Sequence, residues 1–177
     1  QYSRAGPRTG PGGEPILLLD QNRARWDQLL IRRGLTALKR AVDVGGQLGP
    51  YALQASIAAC HARARRPEDT DWQQIVAIYD QLYHQIPSPV IGLNRAVAVG
   101  MATGPGAGLA AVDMLLDEPV LKSYHLLPSV RADLLFKLQR RAEAKAEFER
   151  AASMTRNARE QKLLLERARA CDEAISS

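Results

Sequence analysis

Residues 70–104, TDWQQIVAIYDQLYHQIPSPVIGLNRAVAVGMATG, predict two amphipathic helices joined by a tight turn. The apolar residues of the first helix recur at helical spacing on one face: Trp72, Ile75, Val76, Tyr79, Leu82 and Ile86. Thr70 and Gln73 predict a capping box at its start. Ser88 is predicted to be the N-cap of the second helix, because Pro89, which follows it, suits the first helical position. Helix, turn and helix together predict the repeating unit of an α-solenoid.

The pattern recurs about 34 residues further along the chain, which is the period of tetratricopeptide (TPR) repeats. Three columns of equivalent positions follow: Ile75, Leu109 and Ala144; Tyr79, Asp113 and Phe148; Leu82, Leu116 and Ala151. Asp113 makes the middle repeat degenerate, while Gly104 and Gln139 fall at the turn inside each unit. The sequence therefore predicts an all-α fold, an α-solenoid of TPR-like helical hairpins with about eight helices. Three ordinary helical hairpins with chance spacing remain the alternative.

The chain of 177 residues is predicted to hold one helical domain preceded by a linker. Residues 1–15 are rich in glycine and proline and are interpreted as the linker, and residues 16–177 as the TPR-like domain. Residues 157–175 are predicted to form a polar capping helix, which Asn157 opens with Glu160 as a capping box. The intervening helices are predicted to pair in sequence: 50–64 with 71–86, 88–101 with 105–116, and 122–138 with 142–154.

Composition is that of an ordinary globular protein, with 46% hydrophobic and 24% charged residues. The formal charge of +5 would suit an acidic partner, but the arginines are spread among glutamates, so solvated helix faces are the alternative explanation. Cys60 and Cys171 lie far apart without a CxxC motif, which favours buried, reduced thiols and a cytoplasmic location. No stretch approaches the roughly 20 apolar residues of a membrane span. A start at Gln1, without methionine, suggests a piece of a longer protein.

The sequence offers little chemistry for catalysis or metal binding. His61, His84 and His125 are isolated from one another in the sequence. Nucleophile-elbow and phosphate-loop motifs are absent, and the glycines at residues 104–108 lack a preceding strand. We therefore predict no catalytic residue, no metal ligand and no cofactor.

Polar residues placed among apolar ones on the first helix of each unit are the candidate partner-binding residues. Those in the repeats are Asn94, Arg95, Tyr124, His125 and Arg131. Such side chains can hold a peptide backbone or a carboxylate in a groove. In the alternative interpretation Asn94 and Arg95 satisfy neighbouring turns, and Arg131 pairs with Asp133 or another acidic neighbour.

Five sequence blocks, in this order, resemble the C-terminal extension of a group of extracytoplasmic-function (ECF) RNA polymerase sigma factors. They are LLLDQNRARWDQLLI, GPYALQASIAACHA, TDWQQIVAIYDQL, PSPVIGLNRAVAV and YHLLPSVRADLL. The resemblance implies a TPR-like domain that follows the DNA- and polymerase-binding domains. It also implies an Asp-Gln-Asp-Arg motif near the start, which this chain carries as Asp20, Gln21, Asn22 and Arg23. The third position departs from the family, because an amide replaces a carboxylate.

The resemblance implies a regulatory domain that modulates transcription initiation. Its expected partners are the sigma domains of the same full-length protein and RNA polymerase, contacted by residues 20–23 with Trp26, with a further protein possible in the groove. Direct DNA binding and membrane contact are not expected of these residues. The alternative is a freestanding TPR-like scaffold that binds a peptide from an unrelated complex.

Overall fold

The computed structural model describes residues 36, 48–64 and 66–173, and the regular secondary structure of this part of the chain is all helical, without strands. Seven α-helices lie in it: α1 (Pro50–Arg63), α2 (Trp72–Gln85), α3 (Pro89–Thr103), α4 (Pro105–Asp113), α5 (Leu126–Lys137), α6 (Arg141–Met154) and α7 (Ala158–Glu173). Two short 3-10 helices, Pro67–Asp69 and Pro119–Leu121, lie in the connections. The predicted all-α class is confirmed.

The chain divides into two compact units, Gln1–Ile86 and Pro87–Ser177. The division separates α2 from α3, so the two helices of residues 70–104 do not together form the repeating unit. Instead α1 packs on α2 in the first unit, and the second unit begins with α3 packed on α4. This pairing is the one predicted along the chain.

Prolines and polar caps set the helix ends. Ser88 is the N-cap of α3 and Pro89 its first residue, as predicted. The prediction of Thr70 as the N-cap of α2 is wrong by one residue: Asp71 is the cap, and its Oδ1 accepts from the Gln74 N–H at 2.9 Å. A carboxylate and a hydroxyl serve equally well at this position, so adjacent Thr and Asp leave the sequence ambiguous.

The turns inside the second unit lie at the two positions that the 34-residue repeat predicted. Gly104 separates α3 from α4 with φ at 122°, and Gln139 separates α5 from α6 with φ at 62°. Left-handed φ suits glycine and is uncommon for glutamine. The two chain reversals therefore occur at equivalent positions of successive repeats.

Consecutive packing in the second unit confirms the helical-repeat arrangement. Each helix from α3 to α7 packs on the next, and α3 also contacts α5. The first predicted column lies at the core in every repeat, because Ile75, Leu109 and Ala144 are all buried, on α2, α4 and α6. In the second column Phe148 is completely buried whereas Asp113 is exposed.

The inward face of α2 differs slightly from the predicted stripe. Ile75, Ile78 and Leu82 are its buried residues, so Ile78 was missed, while Ile86 lies beyond the helix and is exposed. Leu53 is likewise buried on α1 in the same unit. Helical spacing alone does not fix the centre of a broad apolar face.

Helix α7 presents one narrow apolar face to its neighbours. Leu164, Ala168 and Cys171 are buried, at helical spacing, while most other residues of the helix are exposed. An apolar inner face with charged outer faces matches the predicted capping role.

Candidate functional site

The predicted motif residues Asp20, Gln21, Asn22, Arg23 and Trp26 lie outside the described residues. The predicted residues of the repeats lie on α3 and around α5, within the second unit.

Asn94 is exposed on α3, and its neighbour Arg95 is partly buried. Exposure leaves the amide of Asn94 accessible to solvent, so it satisfies the first requirement of a partner-binding side chain. Asn94 is thus a predicted partner-binding residue of α3 whose side chain is exposed.

Arg131 on α5 links three successive helices. Its Nε donates to Asp113 Oδ1 at the end of α4 at 2.8 Å, and its Nη1 donates to Glu147 Oε1 on α6 at 3.2 Å. The side chains of Arg131 and Glu147 are only 17% and 15% exposed. Burial lowers the pKa of Arg131, but hydrogen bonds and charge from both carboxylates outweigh it and raise the pKa above its usual value. These contacts support the interpretation of Arg131 as the partner of acidic neighbours.

Asp113, which made the middle repeat look degenerate, is one of those neighbours. An exposed carboxylate stands where the next repeat has the buried ring of Phe148, and it pairs with an arginine one helix further on. Arg131 therefore pairs with Asp113, the residue that departs from the TPR pattern. An acid in an aromatic column, with an arginine among the apolar residues of the following helix, was the sequence signal for this pair.

Arg167 on α7 makes a second link of the same kind. Its guanidinium forms an ion pair with Asp133 on α5, and it also lies over the ring of Phe148 on α6, 4.6 Å from the ring centroid. A cation over an aromatic face is attracted by the ring quadrupole. The sequence did not assign Arg167 to any site, and the structure gives it a role in joining α5, α6 and α7.

His125 precedes α5 and contacts the first turn of α7. Its Nε2 donates to Glu160 Oε1 at 3.1 Å, and Glu160 Oε2 accepts from the Thr155 hydroxyl at 2.6 Å. Asn157 caps α7 as predicted, with its Oδ1 accepting from the Arg159 N–H at 3.0 Å. The Glu160 half of the predicted capping box is wrong, because its carboxylate binds Thr155 and His125.

The two links between α5 and α7 show that these helices run parallel in register. His125 comes before Asp133 in sequence by about as many residues as its partner Glu160 comes before Arg167, the partner of Asp133. Parallel alignment of alternate helices is a property of stacked helical hairpins. Tyr124, beside His125 with its ring centroid 6.0 Å away, is partly buried at the same end of α5.

The connection between α4 and α5, residues 114–125, was predicted as the end of one helix and the start of the next, but it lies outside both α-helices. Met114 is 84% exposed and Val120 63% exposed, although both are apolar. Asp117 is exposed between them. This segment has no periodic pattern that could have predicted its surface.

A cavity of about 430 Å³ lies in the first unit, lined by Cys60, Arg63, Ala64, Asp69, Asp71 and Gln74. The Cys60 thiol donates to Gln74 Oε1 at 3.2 Å, and burial raises the pKa of Cys60. A protonated, hydrogen-bonded thiol is a poor nucleophile. The described residues hold no group of three or more His, Cys, Asp or Glu side chains arranged to bind a metal ion.

Fold and contacts thus define an all-α helical-repeat protein whose charged residues join neighbouring helices. A family of unknown function, DUF6596, matches residues 1–42. The uncharacterized protein R00370 of Rhizobium meliloti (strain 1021) is 43% identical over 160 residues, which are 90% of this chain and 37% of that protein. The chain therefore spans little more than a third of this relative. No solved structure shows a significant match.

Across the helices that the structure describes, none has both the length and the apolar character needed to cross a membrane.

Proposed function

We propose that this chain is the regulatory, protein-interaction domain of an ECF RNA polymerase sigma factor. It modulates transcription initiation by docking on the sigma domains of the same polypeptide or on the polymerase. The observation that carries the proposal is the ordered series of five blocks, spread from residue 17 to residue 135, that resembles the C-terminal extension of that family. The helical-repeat packing of α3 to α7 supports it, because such repeats present extended surfaces to proteins.

In this proposal other parts of a longer polypeptide recognise the promoter. The Rhizobium relative, of which the chain spans 37%, is long enough to contain such parts. The protein works in the cytoplasm, where the polymerase is, and the chain contributes no direct DNA contact.

The docking contact is assigned to residues 20–23 and Trp26. Asp20 and Arg23 can each form a charge-assisted hydrogen bond with a partner, and Asn22 can replace a carboxylate as a helix cap but not as one half of a salt bridge. Asn94, exposed on α3, is assigned to a further partner in the groove. Arg131 and His125 are assigned to holding the repeats in place, given their contacts with Glu147 and Glu160.

Transcription from a promoter of the intact factor tests this proposal. Asp20→Ala with Arg23→Ala should change run-off transcription several-fold at equal protein concentration. Glu166→Ala with Arg169→Ala, which removes an acid and a base from exposed positions of α7, is the matched control and should leave it unchanged. Unchanged transcription by the first pair would count against the docking assignment.

The freestanding-scaffold alternative is distinguished by the gene itself. Sigma domains encoded immediately upstream of Gln1 favour the sigma-factor proposal, and their absence favours a scaffold that binds a peptide of an unrelated complex.

A further inference from the structure

The cavity of the first unit lies where α1 ends and α2 begins. It encloses about 430 Å³, and its lining residues are Cys60, Arg63, Ala64, Asp69, Asp71 and Gln74. Cys60 and Ala64 are buried, whereas the other four residues are exposed, so the cavity has a buried inner wall and a polar opening to solvent. A cavity of this volume is within the range of small-molecule sites in proteins.

Hydrogen bonds across the cavity fix its polar wall. The Cys60 thiol on α1 donates to Gln74 Oε1 on α2 at 3.2 Å, and the Gln74 backbone N–H donates to Asp71 Oδ1 at 2.9 Å. Since the thiol holds the amide oxygen of Gln74, the amide NH₂ group is left as the donor of this side chain. The wall therefore presents a donor at Gln74 and a negative charge at Asp71.

Charges of both signs line the same cavity. Burial raises the pKa of the Cys60 thiol, Arg63 lowers it and Asp71 raises it, so both charges act on a single buried group. Neither Arg63 nor Asp69 forms a side-chain ion pair or hydrogen bond with another residue that the structure describes. A ligand that carries charges of both signs can therefore pair with the base and with the acids at once.

We propose that this cavity binds a basic amino acid, a small molecule that carries one carboxylate and two cationic groups. The ligand carboxylate pairs with Arg63 and accepts a hydrogen bond from the Gln74 NH₂ group, while the cationic groups pair with Asp69 and Asp71. One base and two acids of the cavity thus meet one anion and two cations of the ligand. The site goes beyond the proposed function, because it does not involve the motif at residues 20–23.

Three small molecules test this proposal by isothermal titration calorimetry on the full chain. L-Lysine carries the complete set of charges, cadaverine lacks the carboxylate, and hexanoate lacks both ammonium groups. L-Lysine should bind at least ten-fold more tightly than cadaverine or hexanoate. Absence of L-lysine binding, or equal binding of cadaverine, would overturn the proposal.

Two substitutions assign the binding to this cavity. Arg63→Gln and Asp69→Asn each remove one exposed charge, and each should weaken L-lysine binding at least ten-fold. Arg156→Gln and Asp117→Asn, at exposed positions of the second unit, are the matched controls and should bind like the unmodified chain. Thermal unfolding should confirm that every variant is folded, and equal weakening by the controls would contradict the assignment.

The two buried thiols give a second readout within one chain. L-Lysine should slow the alkylation of Cys60 by iodoacetamide several-fold, because the ligand fills the cavity that this thiol lines. The alkylation of Cys171, which is buried in the second unit, should not change. Equal rates at Cys60 with and without L-lysine would place the ligand elsewhere and overturn the proposal.

Discussion

At the scale of single residues, two glycines bring helix backbones together. A Cβ on Gly108 of α4 would lie 2.7 Å from Cα of Gly100 on α3 and 3.0 Å from Cδ2 of Leu134 on α5. The Gly100 Cα is backbone, so it cannot move aside as the end of a side chain can. Three helices therefore meet where only glycine fits.

Gly108→Ala is expected to destabilise the chain by about 1–3 kcal/mol, the usual range for overpacking. Gly106→Ala is the matched control: it lies on the same helix, a Cβ there meets nothing within 4 Å, and it should stabilise by up to about 1 kcal/mol. Urea unfolding followed by circular dichroism measures both. Equal effects of the two substitutions would contradict the close approach of α3 and α4.

Arg131→Ala is expected to lower the free energy of unfolding by about 1–3 kcal/mol, because it leaves the largely buried Glu147 with only the longer, 3.6 Å ion pair to the exposed Arg150. Arg131→Lys should restore only part of the lost stability, since one ammonium group does not reproduce the contacts of the guanidinium with both Asp113 and Glu147. The exposed pair of Arg140 and Glu143 is the control, and Arg140→Ala should lose much less stability than Arg131→Ala. Unchanged stability of Arg131→Ala would instead favour the partner-binding interpretation of this residue.

At the scale of secondary structure elements, the helix starts differ in how they are capped. Asp71 accepts a hydrogen bond from the backbone of α2, whereas the Ser88 side chain makes no capping bond to α3, which Pro89 begins. A side-chain cap satisfies an orphan N–H, while proline contributes a fixed φ. The two starts therefore depend on different residues.

Asp71→Ala should accordingly destabilise the chain by about 0.5–2 kcal/mol, and Ser88→Ala by much less. Amide hydrogen exchange locates the effect, because fraying should increase at the first turn of α2 in the first variant. A larger loss in Ser88→Ala than in Asp71→Ala would show that the caps are assigned wrongly.

The positions of these helices and their pairing could be predicted from the sequence, because glycine and proline mark the ends of most of them. Gly104, Ser88 and Pro89 were identified from the sequence, and Asp71 was missed only by one residue. The connection at residues 114–125 was predicted partly as helix, within 105–116 and 122–138, but its shape comes from turns and from the burial of Leu121. Periodicity says nothing about such a segment.

At the scale of the whole molecule, three weak acids among the described residues, two buried thiols and a partly buried phenol, should make the stability fall at alkaline pH. Burial raises the pKa of Cys60, of Cys171 and of Tyr79. A raised pKa in the folded state gives stability that is complete below the unfolded value, about 8.5 for a thiol, and that is lost as pH rises through the folded value. The chain should therefore lose stability above about pH 9.

Thermal unfolding midpoints from pH 7 to pH 10 check this expectation. The midpoint should fall with rising pH, and it should fall less steeply after Cys60→Ser with Cys171→Ser, which removes the two thiols and keeps Tyr79. The same slope in both proteins would show that the thiols do not contribute.

The candidate site was harder to predict than the fold. Arg131 and His125 were identified as polar residues on a helix face, but their partners Asp113 and Glu160 lie on other helices. Such pairs depend on how helices stack, which a single sequence does not specify. Residues 20–23 rest on the resemblance, so the function remains a proposal that needs its own measurement.

Photo-crosslinking from position 26 in the intact protein is that measurement. With a photoreactive phenylalanine in place of Trp26, the account predicts crosslinks to the sigma domains of the same polypeptide or to polymerase, and none from the same group at Lys162, which is highly exposed on α7. Crosslinks from position 26 that stay within the helices of this chain, with transcription intact, would contradict it.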